Sequence, residues 1–217
     1  MGERTQRSVW RIMIEPRKFM REYDPSLSRF NWLIAWLLGT VVLFSKAFAF
    51  SLGMSYSLLG IILFALVLGI PVGYLMIYLY SFLLYWTGKV FRGQATFCQI
   101  KEAYTWTRIL EVFPLISWLL LTALFGREAF TPLFLSYESY SLIITGLIGL
   151  QGVAQIWETI ILFHTLGEVQ KLSAWVTIWN VLFASVLLLI IDGSINWVLS
   201  ANTAVGTFHS LGALFYR

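Results

Sequence analysis

Residues 58–86 contain no Asp, Glu, Lys, Arg or His. About 20 apolar residues suffice to cross the roughly 30 Å hydrocarbon core of a bilayer, so this run of twenty-nine is long enough to span and must tilt, bend or protrude. Charge is scarce elsewhere too, at 12% of the chain against about 25% in soluble domains, which excludes a large water-soluble domain. Cysteine is nearly absent. Cys98 stands alone, which rules out an intramolecular disulfide and a zinc site built from paired cysteines. No glycine-rich phosphate loop follows a strand, and no motif sets a serine beside a histidine. The expectation from these absences is a non-enzymatic protein without a cofactor.

What is present is hydrophobic, at 59% of the residues, with 17% aromatic. The pattern predicts an all-α polytopic transmembrane bundle of five spans at about 32–50, 58–86, 109–126, 141–164 and 174–191. A basic arm at 1–31 precedes them. Residues 200–217, polar at Asn202, Thr203, Thr207 and His209, read as a short external tail. Within the arm, Trp10, Ile12, Met13, Phe19 and Met20 alternate with basic residues, and Pro16 favours a break or a new helix start. This reads as a short amphipathic helix in the membrane interface. Phe97, Ile100 and Tyr104 recur at helical spacing in the second basic stretch and predict another such piece.

Basic residues concentrate on one side. Arg4, Arg7, Arg11, Arg17, Lys18, Arg21 and Arg29 lie in the arm, Lys89, Arg92, Lys101 and Arg108 in or beside the second loop, and Lys171 after the fourth span. The other side receives only Arg127 and Arg217. This asymmetry predicts a multi-pass protein of the cytoplasmic membrane with its N-terminus cytoplasmic and its C-terminus external. Beside a membrane span, a basic arm meets anionic lipid headgroups, so the partners expected are the bilayer and a protein partner or a second copy, and not nucleic acid.

Inside the spans the informative residues are small or polar. Ala65, Gly69 and Gly73 recur every four residues and clear one helix face for close backbone contact, while Pro71 bends the same helix. Gln151, Gln155 and Glu158 fall on one face of the fourth span, and Asn180 lies at a similar depth in the fifth. Polar groups in lipid should turn inward and find partners, which makes Asn180 the expected partner of a protonated Glu158. The alternative use of this face is an ion, proton or headgroup site in a small transporter, channel-like protein or exporter subunit. Lys46 and Asp192 either form an ion pair on the outer side or sit separately at the interface, Lys46 reaching it by snorkelling. His164 and Glu168 have a metal-compatible spacing but no third ligand is evident, so no metal is expected.

The order of these parts resembles the Yip1-domain family of five-span membrane proteins. The segments that carry the resemblance are WRIMIEPRKFMREY (10–23), GQATFCQIKEAYTWTRILEVFPLI (93–116) and QIWETIILFHTLGEVQKLS (155–173). The glycine, polar-aromatic stretch and proline that lead into the family's third span match Gly93, Phe97, Gln99 and Pro114. Its tryptophan-containing fourth span and polar turn match Trp157, Gly167 and Lys171. The resemblance implies an organiser of membranes that works through protein contacts. Eukaryotic members contact prenylated Rab GTPases and usually carry an Asp-Leu-Tyr-Gly-Pro signature. That signature is missing here, so the resemblance implies a prokaryotic-type member without Rab recognition.

Overall fold

The structure, a computed structural model, describes residues 11–23, 25–131 and 141–214, with side chains placed as far as Ser194. Its helices are α1 (Arg11–Ile14), α2 (Pro16–Arg21), α3 (Asn31–Ala49), α4 (Leu58–Val90), α5 (Phe97–Thr107), α6 (Val112–Phe125), α7 (Ser141–Gln170) and α8 (Ala174–Leu214). Five helical runs among the described residues are long and apolar enough to cross a membrane: Leu27–Ala49, Leu58–Val90, Phe97–Phe130, Leu142–Gln170 and Ala174–Ser194. Leu63, Val67, Leu124, Val153, Ile156 and Leu189 remain exposed around the bundle. In water such a belt would drive aggregation; in hydrocarbon it is the solvated surface. The chain is a multi-pass membrane protein.

Three differences from the sequence expectation have clear physical causes. The third run begins at Phe97 rather than at residue 109, because Thr96 and Gln99 form a capping box that starts α5 inside the second basic stretch. Ile100, Ala103, Tyr104 and Trp106 of α5 are buried in the bundle. The fourth helix continues past His164 to Gln170, so Gly167 and Glu168 belong to its last turn, and Lys171 makes the turn with φ 56°. The fifth helix does not stop near residue 191, and its backbone runs on to Leu214. No proline interrupts that stretch, and threonine and asparagine are tolerated in a helix once it has been nucleated. Part of the expected loop at 127–140 lies outside the described residues. The rest of it is a 3-10 turn over Gly126–Phe130.

Lipid tails are as apolar as leucine, so helices in a membrane associate through packing and hydrogen bonds rather than through exclusion of water. The closest pair here is α3 with α4. A side-chain carbon added to Gly39 would overlap the backbone of Gly69 and Gly73, and one added to Gly73 would overlap the carbonyl of Ala35. Ala65, Gly69 and Gly73 are buried in this contact. One turn before Pro71, Trp36 Nε1 donates to the Leu66 carbonyl at 3.1 Å and Thr40 Oγ1 to that of Ala65 at 3.5 Å. Helix α3 thus covers the polar backbone on the approach to the bend.

Packing is layered along the bundle. One layer gathers Phe44, Ile61, Leu115, Trp118, Leu121 and Phe130, with Phe44 and Trp118 both against the Phe130 ring. A second gathers Leu38, Ile77, Tyr80, Leu84, Ile100 and Tyr104 with residues of α7 and α8. A third cluster joins the arm to the bundle: Ile12 and Phe19 pack with Leu27, Ile34, Trp106, Leu110 and Ile161. The arm is two short helices meeting at Pro16. Their buried side chains face protein, while Ile14 is 82% exposed.

Candidate functional site

Between α5 and α6 the helix narrows to a 3-10 turn over Arg108–Glu111. Pro114 explains it: proline has no N–H to give the Leu110 carbonyl, and its ring crowds that oxygen, so the preceding turn tightens. The tightening aims Arg108 and Glu111 inward. Arg108 NH1 lies 3.2 Å from Glu111 Oε1 and 2.5 Å from Glu158 Oε1, and its guanidinium carbon sits 4.6 Å from the centre of the Tyr104 ring. Tyr104 in turn packs on Tyr80, whose hydroxyl is 2.7 Å from Ser185 Oγ of α8. Glu111 and Glu158 are 3% and 5% exposed. Glu158 is twelve residues before the end of α7 at Gln170, about 18 Å along the helix at 1.5 Å per residue.

This arrangement corrects the expected pairing of Glu158 with Asn180. Arg108, counted with the inner loop in the charge tally, lies inside a membrane-spanning run and takes that place. The cluster sets two carboxylates against one guanidinium. Glu111 Oε2 and Arg108 Nε are buried with no hydrogen-bond partner, so the site retains capacity for a proton, a cation or a water.

Asn180 serves a different junction. Its Nδ2 donates to Gln170 Oε1 at 2.8 Å, the Thr87 hydroxyl bonds to its Oδ1, and Gln170 Nε2 donates to the Leu84 carbonyl at 3.3 Å. This buried chain ties α4, α7 and α8 together beside the turn that joins α7 to α8. Asn180→Ala would orphan Gln170 Oε1 and remove a partner of Thr87. It is expected to lower stability by about 1–3 kcal/mol, read as a lower melting temperature in detergent. An unchanged melting temperature would mean that the chain adds nothing to the fold.

The remaining sequence candidates are dispersed. Gln151 is half-buried and Gln155 is exposed, so the polar face does not turn inward as a unit. At that height the buried face of α7 is centred on Ala154 and Glu158, and Gln155 falls at its edge. Lys46 Nζ lies 2.7 and 2.9 Å from the two carboxylate oxygens of Asp192, joining the last turn of α3 to α8. Glu168 is held by Arg21 and Lys171 at 3.2 and 3.0 Å, and so is turned away from a shared role with His164. Among the described residues no three His, Cys, Asp or Glu side chains are grouped to hold a metal ion. Beside the arm, Glu102 accepts from the Tyr23 hydroxyl at 2.8 Å and from Asn31 at 3.0 Å, contacts that sequence spacing does not reveal.

Neither a curated protein nor a solved structure matches the chain. A family model does: the one described as the Yip1 domain matches residues 10–195, a stretch that takes in the arm, all five spans and the Arg108 cluster. The chain belongs to the Yip1 domain family.

Proposed function

We propose that this protein is a non-enzymatic membrane organiser or accessory subunit, a prokaryotic-type member of its family in the cytoplasmic membrane. It works through lipid contacts and through a protein partner or a second copy. The observation that carries the reading is a strip of α7 that no described residue covers. Thr145, Gly149, Gly152, Gln155 and Thr159 are all exposed there, and a side-chain carbon added at either glycine would meet nothing within 4 Å. A glutamine amide in hydrocarbon lacks partners, and small residues beside it admit another helix closely enough to supply them. Co-purification from native membranes followed by mass spectrometry tests this. A stoichiometric protein partner or a self-complex is expected, and Gly152→Leu with Gln155→Leu should release it. A chain that purifies alone and monomeric from mild detergent would defeat the reading.

A second reading, a small transporter or exporter subunit, is favoured by the buried Arg108, Glu111 and Glu158 cluster with its unpartnered atoms. Ion or proton flux in proteoliposomes of the pure protein, lost in Glu158→Gln, would establish it in place of the first.

The proposed orientation puts the N-terminus in the cytoplasm and the C-terminus outside, on the strength of the basic inner rim. Cys98, exposed in the first turn of α5, reports on it directly. A membrane-impermeant maleimide is expected to leave Cys98 unlabelled in intact cells and to label it once the membrane is opened. Labelling from outside at the same rate would reverse the orientation.

A further inference from the structure

The two arm helices do not lie flat on α7 along their whole length. Between Met13–Lys18 and the exposed side of α7 a cavity of about 520 Å³ remains, within the range of about 300–1,000 Å³ of small-molecule sites. Its lining combines two chemistries. Ile14, Trp157 and Ile160 contribute large apolar side chains that are exposed in the structure. Arg17, Lys18 and His164 contribute basic groups. His164 lies six residues before the end of α7, about 9 Å along the helix, where hydrocarbon gives way to headgroups.

Among the described residues, the basic charges in the lining are not used up internally. Glu15, the one carboxylate in the wall, is already shared by Arg11 and Lys18 at 3.4 and 3.6 Å. Arg17 and His164 have neither an ion pair nor a hydrogen bond among the described residues. A guanidinium, an ammonium and an imidazole lining one cavity form a donor set suited to phosphate oxygens. The adjoining isoleucines and tryptophan offer a track for an acyl chain.

We infer that this groove is a binding site for one anionic glycerophospholipid, its phosphate held by Arg17, Lys18 and His164 and an acyl chain lying along Trp157 and Ile160. The inference rests on the lipid-contact part of the proposed function and narrows it to one place and one headgroup class. Bound there, the lipid bridges the arm and α7, so the arm docks as a reader of headgroup charge.

Native mass spectrometry of the full-length protein in detergent, with equimolar dioleoyl phosphatidylglycerol and dioleoyl phosphatidylcholine, tests the assignment. Wild type is expected to retain one phosphatidylglycerol in preference to phosphatidylcholine. Arg17→Gln with Lys18→Gln should weaken that retention about tenfold, which is about 1.4 kcal/mol, and leave phosphatidylcholine unchanged. Arg17→Lys with Lys18→Arg should keep it. Lys89→Gln with Arg92→Gln, basic residues elsewhere on the inner rim, should also keep it. Trp157→Ala approaches the groove from α7 without altering the arm and should weaken phosphatidylglycerol as well, so loss of the arm's fold cannot mimic the result. Phosphatidylglycerol held by the Arg17 and Lys18 double variant as tightly as by wild type would overturn the site while leaving general anionic-lipid contact standing. Equal retention of both lipids by wild type would overturn that broader contact too.

Discussion

Arg108→Leu is expected to destabilise the protein by on the order of 3–5 kcal/mol, a large part of the stability of an ordinary domain. The cause is the pair of carboxylates left behind. Glu111 and Glu158 are buried, and Arg108 is paired with both of them, at 3.2 and 2.5 Å. Without it each must remain charged in a low-dielectric interior or give up its ion-pair role. The measurement is thermal unfolding in detergent, followed by tryptophan fluorescence and size-exclusion chromatography. A variant that melts with wild type would show that the cluster carries no structural weight. Replacing all three together, Arg108→Leu, Glu111→Leu and Glu158→Met, removes the stranded charges and should recover most of the loss. If the recovered fold also complements a deletion strain, the cluster is architectural. If it folds but does not complement, the ions themselves are what the protein uses.

Gly73→Leu should be comparably damaging for a different reason. A side chain at Gly73 collides with the backbone of Ala35, and backbone cannot swing aside as a flexible side chain can. Overpacking a core typically costs about 1–3 kcal/mol, and this contact leaves no rotamer that avoids the clash, so the effect should reach or exceed the top of that range. Separation of α3 from α4 should appear as aggregation on size exclusion and loss of a cooperative melt. Gly146→Leu is the control: nothing lies within 4 Å of a side-chain carbon added there, and its fold should be unaffected. Equal behaviour of the two variants would remove close backbone contact from the account of how this bundle holds together.

The five spans were legible because each holds an apolar window of 18 residues with at most 2 charges, long enough to cross a bilayer as a helix. Glu158 was legible as a group that must be buried and partnered. Its partner was not, for two reasons visible in the structure. Arg108 stands fifty residues away, and it follows basic residues that mark the inner side, so proximity in sequence groups it with Lys101 and Arg92. Its true depth depends on where α5 begins, and the signal for that was present in Thr96 and Gln99, a capping box three residues apart. Asn180 shows the opposite limit. Depth alone suggested Glu158, whereas the geometry of the α7–α8 turn brings it to Gln170, only ten residues away. The end of α8 was missed because polarity was read as a stop, when only proline or an unfavourable backbone would have imposed one.

The way the arm is fastened has a consequence for biosynthesis. Phe19 packs on Trp106 and shares a cluster with Ile161, and Arg21 pairs with Glu168, 147 residues further along the chain. The arm leaves the ribosome before α5 and α7, and its docking surface does not exist until both have been translated and inserted. Contacts of such sequence separation form late and slowly. For most of the translation of the bundle the arm must therefore wait undocked at the membrane surface, with Ile12 and Phe19 open to whatever insertion factor or lipid is at hand. It is made before its docking surface and settles only after that surface is complete.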